Sequence, residues 1–545
     1  MVSHNEVSAG LLALLLLAVA PFPLAAQPRT MGLMYYDSTQ SYQGYTLFAP
    51  LNYNVVYLID NEGRLVHSWD APSKPGLSVY LLDDGNLLHS GRNINIRDWD
   101  NNELWSYNLH GDSFRRSHDL MMTPNGRILS VAWKTKSVAE ALASGRDPAK
   151  LDSTGLESSC VYEVDTATNQ IVWEWDAWDH LVQDFDSTKA NYGVVRDHPE
   201  LIDLNYGVGP NGDGNFIHFN AVDYNPDLDQ IIVSPRLYSE AWVIDHSTTT
   251  EQAAGHTGGR YGRGGDLLYR WGNPETYRRG DSLRHRLYYQ HSTNWVPDSL
   301  PGGGHMMAFS NGGNERPWSS VEEWIPPMDS LGFYHLSPDS TYGPVEPVWW
   351  FRDTTWFYSS HIGGSQRLPN GNTLICEGRW GTFFEVTPDS EVVWKYISPV
   401  DSLGPMTQGD SLRENQNSVF RCYRYGPGYA AFEGRNLTPG DPIELPGTVA
   451  VTQPRAAMIP TRPTLAASRV VRARAWLTLS LPASAEANLA IYDCRGARVA
   501  VLAQGRLATG EHRFVWDATA AAAGVYVCRM CSASGMVSVK LVKPD

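Results

Sequence analysis

Positive charge is scarce in this chain: 43 lysines and arginines stand against 59 aspartates and glutamates, a formal net charge of −16 over 545 residues. A groove that tracks a phosphate backbone carries the opposite sign, so nucleic acid is not the expected partner. Long apolar runs are also missing. The best candidate, Leu11 to Val19, is shorter than the ~20 residues a helix needs to cross a bilayer, so no membrane span is expected. Six cysteines are too few to frame a disulfide scaffold at this length. Cys528-x-x-Cys531 offers half a zinc site, but only Cys494 stands near it, so a disulfide among these three is the expectation rather than a metal. Between Tyr45 and Ile443 no long segment follows a helical period, which argues against a helical bundle. With 42% hydrophobic and 19% charged residues, a disordered or collagen-like chain is excluded.

What the sequence does contain divides into four parts. Leu11–Val19 is followed by Pro21, Pro23 and the small residues before Gln27, the pattern of a secretory signal cleaved near Ala26, although Met1 to Gly10 has no Lys or Arg. Residues 1–26 are therefore expected to be removed and the product exported to the periplasm, cell surface or medium. Around 449–468 the text becomes a Pro- and Ala-rich linker, and the charge changes sign: net +7 from Arg455 onward against −23 before it. Residues 469–545 alternate in short strands (Leu477–Leu481, Asn488–Tyr492, His512–Trp516, Val525–Arg529, Val537–Val542), which reads as a small Ig-like β-sandwich.

Residues 35–448 read as one repeated all-β unit. Turn signals such as Asp84-Gly85, Pro124-Asn-Gly126 and Pro369-Asn-Gly371 separate short strands, and the fourth strand of each unit carries Trp: ELWSY, QIVWEW, LLYRW, PVWWF, EVVWKY. The units are Tyr80–Tyr107, His118–Trp175, His218–Trp271, His291–Phe351 and His361–Tyr396. A sixth forms if Ser418–Tyr425 joins Tyr45–Phe48, Val55–Asp60 and Leu65–Trp69. The pattern predicts a six-bladed β-propeller closed by its own two ends, with long insertions at Ser137–Ser159, Ala177–Asn215 and Ser247–Asp266.

Four units open with histidine. His118 and His291 lie 6 residues before Pro124 and Pro297, and His218 and His361 lie 8 before Pro226 and Pro369. All four offsets are even, so a period-two strand puts the four imidazoles on one face, which in a propeller lines the central channel. By the same parity Asp119 and Asp223 are expected on the opposite face. Converging imidazoles serve as bases, nucleophiles or metal ligands. Arginine is the natural partner for a sulfate or phosphate. Arg316, in Ser310-Asn-Gly-Gly-Asn-Glu-Arg-Pro317, is the first candidate; Arg236 and Arg367 follow. Trp295, Trp318, Trp356, Phe357 and Trp380 are candidates to hold aryl rings.

The stretches GYTLFAP…YLIDNEGRLVHSW, HFNAVDYNPDLDQIIVSPR, VIDHSTTTEQAAGHTGGRYGRGGDLLYRWGNP and GGSQRLPNGNTLICEGRWGTFFEVTP resemble the bacterial arylsulfate sulfotransferase family over nearly all of Tyr35 to Glu444. The resemblance implies a six-bladed propeller that moves a sulfuryl group from an aryl sulfate to a phenolic acceptor through a sulfated histidine. It implies no nucleotide sulfate donor, no cofactor and no metal. Position by position, it implies catalytic roles for His218, His291 and Arg316, with His361 as covalent nucleophile; His118 fits the ring without a transferable role. The family's separate N-terminal β-sandwich has no counterpart in the text, which leaves the oligomeric state open. The run LAIYDCRGARVAVLAQGRLATGEHRFVWDATAAAAGVYVCRM resembles the C-terminal sorting modules of type IX secretion and implies contact with that machinery. Two other readings remain for the body: a surface propeller that only binds a ligand, and a channel in which imidazoles hold a metal.

Overall fold

The computed structural model describes residues 29–207, 214–314, 316–447, 462–467, 471, 474–532 and 535–544. The expected signal segment and most of the expected linker lie outside them. The chain divides into two compact units, one ending at Gly447 and one beginning at Thr448. Strands dominate both. Among the described residues the α-helical turns are Val138–Ala143 and Thr250–Ala253, and no helix there is long and apolar enough to cross a membrane.

The larger unit is built on six antiparallel sheets met one after another along the chain, with two small two-stranded sheets beside them among the described residues. Their first strands are Val419–Tyr425, Val79–Leu81, Phe114–Met122, Phe219–Asn225, His291–Trp295 and Gly364–Arg367. Three further strands follow each in order, so in five of the six sheets the first and fourth lie at opposite edges. The sheet headed by Val419–Tyr425 continues into Tyr45–Pro50, Val55–Ile59 and Leu65–Asp70, so the end of the unit is hydrogen-bonded to its beginning. Sheets that are not neighbours in this order still touch through their first strands. Phe420 lies 6.1 Å from both His118 and His291, and Arg421 reaches both Asp119 and the Asn220 carbonyl. The six first strands therefore surround one axis.

Several of the fourth-strand tryptophans read from the sequence are packing residues, whereas Trp105 and Trp349 are half-buried and Trp350 is exposed. Trp69, Trp175 and Trp394 are fully buried, Trp271 nearly so, and Trp271 stacks on Trp324 at 4.2 Å. Their large apolar surfaces fill the spaces between sheets, where each aromatic buries on the order of 150–250 Å². One strand was not foreseen. Gly32–Tyr36 adds a fifth, outermost strand to the sheet headed by Gly364–Arg367, pairing with Val392–Ile397. Its first residue has φ +71°, and a Cβ there would run into the Glu444 carboxylate, so glycine is required.

The second unit packs the sheet Thr464–Ala467, Arg474–Leu481, Gly510–Asp517 against Arg498–Leu507, Ala485–Asp493, Gly524–Ser532, Gly535–Lys543. Leu477, Leu479, Leu489, Ile491, Trp516, Cys528 and Met530 form their shared core. Thr464–Ala467 falls inside the expected linker and is a strand. The expected disulfide is not formed: all six cysteines are free thiols. Cys528 and Cys531 are three apart on one strand, so they face opposite sides, Cys528 inward and Cys531 outward.

Candidate functional site

The histidines reach the axis by a route the even spacing did not describe. Only His291 begins its strand. His218 directly precedes Phe219–Asn225, His361 stands three residues before Gly364–Arg367, and His118 lies within Phe114–Met122. Strict alternation also fails, because the first strands are bulged. Extra residues are inserted between Arg116 and Leu120, between Phe219 and Val222, between His291 and Asn294, and between Val419 and Cys422. A bulge re-aims side chains and sharpens the local twist. Its recurrence in four sheets keeps the positions comparable even though their parity is lost. His218 has φ +64° and Ile362, next to His361, has φ +51°, backbone strain of the kind that collects at functional sites.

His118 and His218 stand ring to ring, 4.7 Å between centroids. Trp133 covers both at 5.4 and 5.8 Å and is itself capped by Arg115 at 3.9 Å. The buried ring of His291 is fixed by Asn311. The Asn311 amide nitrogen donates to the carbonyls of Ser359 (2.8 Å) and Ile362 (2.9 Å). Its oxygen therefore faces His291 Nδ1, at 2.6 Å, and takes that proton. Nε2 is left as the lone-pair nitrogen and receives the Ile362 N–H at 3.3 Å. His361 turns Nδ1 toward Ser360 Oγ (3.0 Å), which accepts from Arg379 Nη1 (3.1 Å).

Burial pushes the His118 and His291 imidazoles well below the ordinary value. For His118 the neighbouring His218, Arg421 and Arg236 add to this; for His291, Arg236, His118 and His218 do so while the Asn311 bond opposes. His361 is lowered too, first by burial and then by the charges of Arg379 and Arg236. Both His118 and His291 are thus neutral bases at pH 7. The charge of Arg236 acts on His118, His291 and His361 alike. Its position follows from the turn Arg236–Tyr238 that ends the IIVSPR strand, where its N–H donates to the His218 carbonyl at 3.1 Å.

Arg316 is placed elsewhere. Its guanidinium hydrogen-bonds Ser310, Ser320 and Glu322, lies 3.8 Å from the Trp318 ring, and lines a pocket of about 310 Å³ with His285 and Tyr288. The cause is the buried carboxylate of Glu322, two residues along the next strand from Ser320, which needs a counter-ion. Arg379, in the turn Gly378–Trp380, was not singled out from the sequence; the GRW of the EGRWGT stretch is the signal that marks it.

The remaining candidates spread out. Arg367 is paired with Glu323, and Trp295 donates its backbone N–H to Asp223 at 2.8 Å. Both line a cavity of about 690 Å³ with Met121, Thr293, Tyr423 and Tyr425, residues from the later halves of the first strands. Trp356 packs on Phe351, Phe357 and Phe384 with Lys395 over its ring, and Phe357 is core. Asp119, contrary to the parity argument, faces inward. It takes hydrogen bonds from Arg421 (2.6 Å), Ser78 (2.6 Å) and Tyr80 (2.9 Å), joining three sheets. Among the described residues the channel imidazoles do not bring three ligand atoms close enough to share an ion.

Grouped imidazoles with the charges of Arg236 and Arg379 acting on them can attract an anion, while the neutral rings act as nucleophiles or take protons. Residues 37–402 match the family model described as Arylsulfotransferase (ASST). No curated protein matches the chain. Among solved structures, a protein of unknown function from Bacteroides caccae is 12% identical over 70% of this chain and 99% of its own, with a TM-score of 0.37. A streptogramin B lyase (10% identity, 73% and 95% covered, TM-score 0.33) and a putative 6-phosphogluconolactonase from Bacteroides fragilis (10%, 71% and 99%, 0.33) are similar at the same distant level.

Proposed function

The chain belongs to the arylsulfotransferase (ASST) family and is a sulfotransferase, and we propose that it moves a sulfuryl group from an aryl sulfate to a phenol by a ping-pong route through a sulfated histidine, without a nucleotide donor. The observation that carries this reading is the convergence of the histidines: His118 stands 4.7 Å from His218, Phe420 lies 6.1 Å from both His118 and His291, and His361 is joined through Ser360 to Arg379.

Sulfuryl transfer shares the loose, in-line transition state of phosphoryl transfer, with charge spread over three equatorial oxygens. Arg236 and Arg379 supply the positive charge for those oxygens. With Nδ1–H donated to Ser360, the Nε2 lone pair of His361 attacks sulfur, the S–O bond to the phenol breaks, and the phenol leaves as its phenolate, which takes its proton from water. The acceptor phenol then gives its proton to the neutral His118–His218 pair or to His291 Nε2, which return it to water, and its oxygen attacks the sulfur of the N-sulfated ring, so the S–N bond breaks and His361 is regenerated. The same reading takes the six sheets as propeller blades, the second unit as an Ig-like sorting module, and Leu11–Val19 as the export signal.

The test offers p-nitrophenyl sulfate with and without an acceptor phenol. Nitrophenol release that depends on the acceptor, with parallel-line kinetics, is expected; release by water alone would give the reaction to a hydrolase, and binding without turnover would make the protein a ligand-binding module. His361→Asn should abolish transfer in a folded protein. Full activity in that variant would move the nucleophile to His291.

A further inference from the structure

We propose that His180, His256 and Asp266 form a binding site for one borderline divalent transition metal, of the Zn²⁺ class, which joins two long insertions of the sulfotransferase body. His180 ends the turn Ala177–His180, at the start of the first insertion; His256 and Asp266 belong to the second, which follows Ala241–Asp245. One donor atom from each of the three lies within 4.8 Å of the others, and none of the three belongs to the channel site. His180 Nδ1 is 2.9 Å and His256 Nδ1 is 2.8 Å from the same oxygen, Asp266 Oδ1.

The argument turns on the other nitrogen of His180. Nε2 lies 2.8 Å from the Ala253 carbonyl. A carbonyl only accepts, so Nε2 carries a proton, and Nδ1 faces a carboxylate oxygen that has only lone pairs to offer. A positive centre is required between them. A histidine held through its far N–H by a backbone carbonyl is the arrangement that orients metal ligands. The surroundings preserve it. Trp175 stacks on the fully buried His180 ring at 6° and donates to the Gly265 carbonyl at 2.7 Å. A Cβ on Gly265 would overlap the Ala253 carbonyl and stand 2.6 Å from His180 Nε2, so only glycine allows the approach. His256 is exposed, which gives an ion a path in and leaves a fourth position for water. Two imidazoles and one carboxylate select Zn²⁺ or Cu²⁺ over Mg²⁺ and Ca²⁺, which take oxygen ligands.

The experiment uses the full chain, stripped with EDTA and titrated with Zn²⁺ by calorimetry, with the unfolding temperature followed in parallel. One Zn²⁺ per chain, micromolar or tighter, and a Zn²⁺-dependent rise in unfolding temperature are expected, with no comparable response to Mg²⁺. His256→Ala, at an exposed position, should weaken binding at least tenfold and remove the rise while leaving the metal-free unfolding temperature unchanged. No saturable binding would show an imidazolium–carboxylate cluster only and overturn the proposal. Binding that survives in His256→Ala but is lost in His291→Asn would put the ion in the channel and overturn it equally.

Discussion

At the residue scale the arginines separate two readings of the site. Arg316 neutralises the buried Glu322, so Arg316→Ala should cost about 3 kcal/mol of stability by stranding that carboxylate, and the variant that folds should keep most of its transfer rate. Arg236→Ala should do the reverse, lowering kcat about 10²–10³-fold with an unfolding midpoint near the wild type. Denaturant melts and acceptor-dependent assays on both variants check the pair; loss of rate confined to Arg316→Ala would return the anion site to that residue. Asn311 acts on His291 through tautomer and orientation. In Asn311→Asp a carboxylate would stabilise the imidazolium, so the acid limb of the kcat/KM profile should move to higher pH, a displacement that a merely structural role would not produce.

Buried histidine also sets a pH dependence of stability. His89 is 1% exposed, and burial, with the charge of Arg97 adding to it and the Pro75 backbone opposing, lowers it to about 4. Unfolded, it takes a proton near pH 6.5. Between those values the unfolded chain binds more protons than the folded one, so stability is complete above pH 6.5 and falls as pH drops toward 4. This group alone accounts for about 3 kcal/mol over that window. His89→Leu should flatten the decline, which denaturant midpoints at pH 7 and pH 5 will show.

At the scale of elements the sequence disclosed the four-strand repeat, its tryptophans and the joining of Ser418–Tyr425 to the N-terminal strands, because turn chemistry and apolar alternation are local. It did not disclose the bulges. A bulge is a property of two strands and their register, and nothing at His118, Asn220 or Ser292 marks the extra residue in one strand alone. Counting by twos therefore sent Asp119 to the wrong face, although it is the partner of Arg421. Gly32–Tyr36 was missed because an outer edge strand five residues long needs no partner pattern of its own. The preference for Arg316 over Arg236 rested on motif wording, while the buried Glu322 that captures Arg316 is visible only in three dimensions. The Asp119–Arg421 pair ties first strands from across the axis, so Asp119→Ala should cost about 3–5 kcal/mol by leaving a buried guanidinium uncompensated, measured by chemical unfolding.

At the scale of the whole molecule the division after Gly447 gives a separable prediction. A chain ending at Gly447 should fold and transfer sulfuryl groups at the full rate. One ending at Asp410 loses Val419–Tyr425, leaves Tyr45–Pro50 without its inner neighbour, and should fail to give a cooperative melt. Soluble expression, circular dichroism and the acceptor-dependent assay distinguish them.

Gln408 holds both extremities of the larger unit at once: its side chain accepts from the Thr30 N–H and donates to the Met31 carbonyl, and its backbone N–H donates to Leu445. The order in which the strands are synthesised is thus unimportant to the finished ring. A gene rewritten to run straight from residue 445 into residue 30 and to start instead within a surface excursion such as 186–190 would encode the same barrel of sheets around the same imidazoles.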